Sequence, residues 1–569
     1  MKKKITRRDF LKQTSRVAAA AGLSSCGVLL KGCRKKQDFD LVIKDGHVYD
    51  GLGGNPVQVD IGIRNDRIVE LGKINPIKAV NVVDARDLAV SPGFIDVHDH
   101  TDVQLLVNPN AESAVHQGIT SLVSGNCGSS AFPVADEIFE ELQEGYKEDY
   151  GLDMTWNDIK GFFSRLEESG MAVNYVSLVG HGSIRGAVMG FNDRPSKPEE
   201  LDQMKAILEA NIKNGAPGLS TGFEYSPGSF AQPQEIVELC AVVSRMNGIY
   251  ASHMRSEGDY LLESLEETID VARKTGVSVQ ISHFKVAYPA NWHKLDDALN
   301  TIDSARDDGI LISCDRYPYI AGSTSLDFNF PLWSRQGTTK DFVNRLKDPT
   351  VEMRLRRYID EREKKLGSWD KVLITQVSTD KNRKFEGKSV FQGSQETQKD
   401  SFSFMKDLLI EENNNVGMVI FMMKEENLQK ILAHPSVGIG CDGSARAPYG
   451  VLGKGKPHPR SYGTFPRVLG KYVREKKIIN LSEMLRKITS VPAKKFGFLD
   501  RGVIRKNFFA DIVVFDPLTV IDRATFDDPH QYPEGILHVI VNGKVVIDQK
   551  DHTGKLPGRL LKKEDLIFS

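Results

Sequence analysis

The middle of this chain alternates short apolar runs with amphipathic helical stretches, and that rhythm restricts the fold more than any other feature. Glu235 to Gly248 places Ile236, Leu239, Cys240 and Val243 at helical spacing, and Ile249 to Ala251 follow as a short strand. Leu261, Leu265 and Ile269 mark the next helix, closed by Gly276, before Val277, Val279 and Ile281 alternate as a strand. Leu295, Ala298, Leu299 and Ile302 form another helix, closed by Gly309, and Ile310 to Ile312 another strand. Met418 to Phe421, a helix around Leu428 to Leu432, and Val437 to Ile439 continue the pattern. Repeated βα units with buried strands require a parallel sheet, and this many predict an α/β fold of the TIM-like (β/α)8 barrel type.

The two ends have a different texture. Asp40 to Ile43 precede the hairpin signal Asp45-Gly46, and Ile61 to Arg64, Asn65-Asp66 and Arg67 to Glu70 repeat it. Ala510 to Phe515 and Val539 to Val546, with Asn542-Gly543 between strands, do the same near the C-terminus. These pieces predict a small β-sandwich domain built from both chain ends, 38–92 and 500–569, beside a barrel at 93–499. Charged, arrhythmic residues at about 327–415 predict an insertion over the barrel mouth.

The first residues read as an address. Thr6-Arg7-Arg8-Asp9-Phe10-Leu11-Lys12 precede an Ala-rich apolar run from Val17 to Leu23, too short to span a membrane. The arginine pair resembles a twin-arginine export signal, with a mitochondrial presequence or a chance basic start as the alternatives. Leu23-Ser24-Ser25-Cys26 resembles a lipobox, and Leu30-Lys31-Gly32-Cys33 is a poorer copy. Residues 1–37 are therefore expected to direct export, leaving the protein periplasmic or lipid-anchored in a bacterial membrane through Cys26 or Cys33. No other stretch approaches the ~18 apolar residues of a spanning helix. Lys plus Arg number 75 and Asp plus Glu 76. With no net basic field, nucleic acid is not an expected partner. Six cysteines in 569 residues are too few for a disulfide framework.

Chemistry-bearing residues gather at strand ends. In Ile95-Asp96-Val97-His98-Asp99-His100, residues two apart project to the same side of a strand, so His98 and His100 face one way. His253 and His283 each stand just past a predicted strand, 30 residues apart, which is one βα repeat. Asp442 follows the strand at Val437, and Cys127 lies in Ser124-Gly125-Asn126-Cys127-Gly128 after Ile119 to Val123. Alone, each has a plain structural explanation as a core histidine, a turn aspartate or a buried thiol. Together at the C-terminal mouth of a barrel they point to one metal site, and nitrogen, thiolate and carboxylate donors suit zinc best.

These residues also carry a resemblance. Pro92-Gly93-Phe94-Ile95-Asp96-Val97-His98-Asp99-His100 is similar to the opening motif of the amidohydrolase superfamily. Asn126-Cys127-Gly128, Gly218 to Gly228, Ser252-His253-Met254-Arg255, Ser282-His283-Phe284-Lys285 and His458-Pro459-Arg460 with Gly463 to Arg467 narrow it. From about residue 39 to 555 the chain resembles the D-aminoacylase (N-acyl-D-amino-acid deacylase) family, which uses a cysteine where most amidohydrolases bridge two metals with a carboxylated lysine. The resemblance implies one zinc held tightly by Cys127, His253 and His283, and a weaker second position using His98, His100 and Cys127. It makes Asp442 the catalytic carboxylate within the metal set. It further implies that Tyr225, Lys285, Tyr317 and Arg460 bind the carboxylate of an N-acyl-D-amino acid, which is hydrolysed to a carboxylate and a free D-amino acid. Phe223, Arg316 and the stretch Ser444 to Gly455 depart from the family pattern, which bears on side-chain preference. His181 reads as a loop histidine and Arg185 as a candidate substrate contact. Two alternatives stand beside this reading. One is a cyclic-amide hydrolase of hydantoinase or dihydroorotase type, against which the cysteine argues. The other is a non-catalytic binding lipoprotein on the same scaffold, against which the intact site residues argue.

Overall fold

Eight short parallel strands organise the centre of the computed structural model, which describes residues 37–567. They are β1 (Phe94–Asp96), β2 (Ile119–Ser124), β3 (Asn174–Ser177), β4 (Gly218–Gly222), β5 (Ile249–His253), β6 (Ser278–Ile281), β7 (Ile312–Arg316) and β8 (Val437–Ile439). The expected export segment and its cysteines, Cys26 and Cys33, lie outside the described residues.

β1 to β3 form one parallel sheet in the order β3-β2-β1. A second parallel sheet begins with Val179–Gly180, the continuation of β3 beyond Leu178, and runs through β4, β5, β6, β7 and β8. Hydrogen bonds link the two runs at both edges. Leu178 N–H donates to Ser124 O at 2.9 Å on one side. On the other, Asp442 N–H donates to His98 O and His100 N–H to Gly443 O, both at 2.7 Å, around a parallel bridge between Asp99 and Gly443.

The helices between these strands form where the spacing predicts them. Pro233–Arg245 opens on a proline, whose missing N–H costs nothing in a first turn, and buries Ile236, Leu239, Cys240 and Val243 against the sheet. Leu261–Thr275 buries Leu261, Leu265 and Ile269 and stops at Gly276, which takes the left-handed conformation at φ 70°. Every residue of β5 is buried, as a strand covered on both faces must be.

Three expectations are corrected. Met418 to Phe421 is not a further parallel strand: Gly417–Phe421 pairs antiparallel with Ala321–Ser325 and with Val372–Gln376. An apolar run of this length has the same pattern in either setting, because periodicity does not encode the partner. These strands and the helices Thr339–Lys347, Pro349–Leu366, Val390–Thr397 and Ser401–Glu411 surround a separate apolar cluster including Leu326, Phe330, Trp369, Ile374, Met405 and Met418. The seventh parallel strand begins at Ile312, where its expected run ended, and Leu311 is exposed. Asp45-Gly46 is not a hairpin. Phe39–Lys44 pairs with Asp60–Arg64 and Ala79–Asp84, whereas His47–Val48 crosses to another sheet and pairs with Ala89–Pro92.

Asn65-Asp66 and Asn542-Gly543 do turn hairpins, joining Arg64 to Arg67 and Val541 to Lys544. The terminal strands form a four-stranded sheet from the N-terminal end and a seven-stranded sheet mixing both ends. Leu41, Ile43, Ile61, Ile63 and Val83 of the first share one cluster with Val90, Ile512, Val514 and Ile540 of the second. Beyond them the chain returns to the central strands, where Pro557 and Leu560 bridge to Met171 and Tyr175. Among the described residues no helix is long and apolar enough to cross a membrane.

Close backbone approaches fix the turn that carries Cys127. A β-carbon on Gly222 would stand 2.0 Å from Cys127 O, and one on Gly180 would stand 2.5 Å from Gly128 O. Neither obstacle is a side chain that can swing away. Gly222→Ala should therefore cost about 3 kcal/mol of stability, as overpacking against backbone does, and should displace Cys127. Urea unfolding together with the reactivity of the Cys127 thiol reads both effects, and a variant unchanged in both would contradict this packing.

Candidate metal centre

The six predicted ligands do converge, and the strand ends place them. His98 and His100 follow β1, Cys127 follows β2, His253 ends β5, His283 lies two residues past β6, and Asp442 lies three past β8. Cys127, His283 and Asp442 all adopt positive φ, at 52°, 35° and 51°. Each such non-glycine residue costs on the order of 1–3 kcal/mol and persists where surrounding structure enforces it. Here the strained turns swing the donor atoms inward.

Cys127 stands at the middle. Its Sγ lies 3.3 Å from His98 Nε2 and 3.4 Å from His283 Nε2, and His100 and His253 also reach it with hydrogen bonds. Burial alone would push this thiol up. The positive charges of His98 and His283 and the bonds from His100 and His253 overcome it and hold the thiol well below its ordinary range. Asp442 Oδ1 lies 3.4 Å from His98 Nε2 and 3.1 Å from His100 Nε2, while Oδ2 accepts from the Arg460 guanidinium at 2.8 Å. Burial would raise this carboxyl too, but Arg460, His283 and His98 keep it well below the usual carboxylate range.

Among the described residues two groups have donor atoms that all lie within 4.8 Å of one another: His98, Cys127, His283 and Asp442, and His253, Glu257 and His283. This division differs from the one implied by resemblance, which put Cys127 with His253 and His283. The two divisions meet at His283, whose Nε2 is 2.9 Å from His253 Nδ1. His100 belongs to neither group and approaches through Asp442 and Cys127. Buried imidazole, thiolate and carboxylate in this mixture fit zinc.

Carboxylates behind the histidines orient them, and single-sequence reasoning missed all three. Asp315 Oδ1 lies 3.0 Å from His98 Nδ1 and accepts the backbone N–H of His283 at 2.7 Å. Its other oxygen accepts from Gln280 Nε2 at 2.9 Å. Glu257 Oε1 lies 2.8 Å from His283 Nδ1, and Glu224 Oε2 lies 3.2 Å from His253 Nε2. Such partners fix which ring nitrogen faces the metal. Position at the C-terminal end of a strand was a usable signal for Asp315, whereas Glu257 and Glu224 sit in loops with no pattern to mark them.

The expected substrate-binding residues line a cavity of about 540 Å3 that is also lined by His100, Cys127, His253, His283 and Asp442, but not by His98. Tyr225 packs edge-on to His253 and its hydroxyl lies 3.3 Å from Thr324 Oγ1. The Tyr317 ring lies between two guanidinium groups, Arg316 at 4.0 Å and Arg460 at 4.7 Å. Lys285 is buried and ion-paired with both oxygens of Glu257. Arg460 faces Asp442 and Ser323 O.

Arg185 is a correction. It does not reach the cavity: its guanidinium binds Glu235 at 2.6 Å, whose other oxygen lies 2.8 Å from His181 Nε2, all of it buried. Spacing near a Gly-rich turn could not distinguish this internal triad from a ligand contact. Phe223 and Arg316 are likewise buried away from the cavity, the first beneath the Arg255 guanidinium.

Glu257→Gln keeps the size of the side chain and removes the charge that orients His283. Zinc affinity measured by competition with a chelator should fall by about 10–100-fold while the melting temperature shows a folded protein. Unaltered affinity would mean that Glu257 serves only Lys285.

Comparison with known proteins places this geometry. Residues 450–547 match a family model described as an amidohydrolase family. A D-aminoacylase of Alcaligenes xylosoxydans xylosoxydans is 35% identical over 93% of this chain and 98% of its own length. An N-acyl-D-glutamate deacylase from the same organism is 34% identical over 94% and 98%. Among solved structures, the N-acyl-D-glutamate deacylase of Bordetella bronchiseptica, complexed with zinc and a phosphonate inhibitor, superposes with a TM-score of 0.78 at 31% identity. That match covers 92% of this chain and 99% of that one. A D-hydantoinase from Thermus sp. has a TM-score of 0.52 at 15% identity, over 93% and 100%, which is likeness of fold alone. Because the first of these relatives aligns along nearly the whole length of both chains, the protein belongs to the D-aminoacylase family of amidohydrolases.

Proposed function

We propose that this protein is a zinc-dependent amidohydrolase that cleaves N-acyl-D-amino acids to a carboxylate and a free D-amino acid. The observation that carries the reading is the set of donors around Cys127, with four imidazoles and Asp442 converging on one buried thiolate. The relatives known as D-aminoacylase and N-acyl-D-glutamate deacylase support it. We also read the eight parallel strands as a (β/α)8 barrel and the two terminal sheets as a β-sandwich domain. The hydrogen-bonded edges at Ser124 and His98 and the shared apolar cluster support these readings.

By the resemblance, Cys127, His253 and His283 would hold one zinc and His98, His100 and Cys127 a second, whereas the donor atoms as they stand put Cys127 with His98, His283 and Asp442. When bound, zinc polarises the scissile carbonyl and lowers the pKa of its water to about 7. Asp442 is held ionised by Arg460, so its Oδ1 accepts the proton of the attacking water and passes it to the departing amine. Lys285, Arg460, Tyr225 and Tyr317 line the same cavity and bind the substrate carboxylate. Anchored there, a D-configured Cα directs its amide toward the metal donors, and the L-enantiomer directs it away.

N-acetyl-D- and L-amino acids assayed in parallel for free amine should show turnover of the D-series alone, by protein that retains zinc. Comparable turnover of the L-series would contradict the proposed clamp. Asp442→Asn should keep its fold and lose about 10²–10⁴ in kcat, the range for a lost acid–base group. Near-normal turnover would remove Asp442 from the proton path. The export reading rests on the sequence of residues 1–37. Lysine at positions 7 and 8 should retain the protein in the cytoplasm, and unimpaired export would refute a twin-arginine route.

A further inference from the structure

The cavity has two chemically different ends. One holds the metal donors with Lys285, Tyr317 and Arg460. The other comprises Gly128, directly after Cys127, then Ser129, Ser130 and Ser183, and the side chains of Ala131, Val134, Ile138, Leu142, Tyr146 and Phe191. None of these last six side chains is charged. Ile138, Leu142 and Tyr146 lie on one face of the helix Asp136–Tyr150, half-buried, while Glu140, Glu144 and Glu148 of the same helix are exposed. From Ile138 to Tyr146 the apolar face extends about 12 Å at ~1.5 Å per residue. An adjoining cavity of about 300 Å3 shares Ile138, Leu142 and Phe191, and also Tyr225, and its further lining brings in Glu141, Asp327 and Arg335, so the uncharged surface is confined to the first cavity.

The connectivity of the proposed substrate decides what enters this arm. Its carboxylate, Cα, nitrogen, carbonyl and acyl chain follow in that order. With the carboxylate at Arg460 and the carbonyl beside Cys127, the acyl chain continues away from the clamp, past Gly128. The D-side chain branches earlier, at Cα, on the side of the cavity lined by Thr324, Phe328 and Met422. An acetyl methyl ends one carbon beyond the carbonyl and would leave the whole helix face against water, whereas a long alkyl chain would cover it.

Resting on the proposed amide hydrolysis, we propose that this apolar arm is the acyl subsite and that the preferred acyl group is a medium- or long-chain fatty acyl rather than acetyl.

The experiment compares N-acetyl-, N-hexanoyl- and N-decanoyl-D-methionine with wild type and Leu142→Asn. In the wild type kcat/KM should rise about fourfold for each methylene that becomes buried, until the arm is filled. Leu142→Asn should lower the decanoyl-to-acetyl ratio of kcat/KM by about fifteenfold, the effect of losing roughly two methylenes of contact. Decanoate, the acid product, should bind the wild-type holoenzyme in calorimetry more tightly than it binds the variant, and acetate should bind neither measurably. A wild type that prefers acetyl, or a variant that loses equally on all three substrates, would overturn the assignment. So would a variant whose altered preference follows the D-side chain instead of the acyl chain. If no N-acyl-D-amino acid is hydrolysed at any length, the proposed reaction fails. Decanoate binding then still decides the arm, and equal binding to both proteins overturns it.

Discussion

The site depends on one thiolate kept where several imidazoles and a carboxylate can reach it. Burying an anionic sulfur is unfavourable unless positive charge and hydrogen bonds surround it. Around Cys127 that compensation comes from His98 and His283 first, with His100 and His253 adding hydrogen bonds. The placement is a backbone achievement before it is an electrostatic one. Gly180 and Gly222 let two neighbouring chain segments lie against the Cys127 turn at distances that exclude any side chain. With the turn clamped, the positive φ of Cys127 is enforced and its sulfur points at the histidines.

A layer of carboxylates gives this arrangement its orientation. Asp315 ties His98 to the backbone of His283, so residues after β1 and β6 are fixed by one side chain at the end of β7. Glu257 joins His283 to Lys285, connecting the metal donors to the proposed carboxylate clamp. Arg460 does the same from the opposite wall by holding Asp442. The candidate metal donors and the proposed carboxylate clamp are therefore parts of one buried charge network, and a change to one of these carboxylates should be felt by both.

Much of this was legible in the sequence. The βα rhythm appears because each helix must present an apolar stripe to the strands, and Ile236, Leu239, Cys240 and Val243 are buried as their spacing requires. The ligands were visible because His-x-His and residues just past strands have constrained directions. What failed shares one cause. An apolar run such as Gly417–Phe421, a turn signal such as Asp45-Gly46, and single charges such as Arg185, Glu224 and Glu257 each acquire meaning from a tertiary partner. Arg185 found Glu235, and the strand at 417–421 found two antiparallel neighbours, at 321–325 and 372–376. No local pattern records such a choice.

Everything proposed for this site requires Cys127 to be a zinc ligand. X-ray absorption at the zinc edge of the holoenzyme addresses it directly, because sulfur and nitrogen scatter at separable distances. The expected spectrum has a zinc–sulfur shell at about 2.3 Å together with nitrogen or oxygen at about 2.0–2.2 Å, the sulfur shell disappearing in Cys127→Ala. A wild-type spectrum with only nitrogen and oxygen neighbours would contradict it.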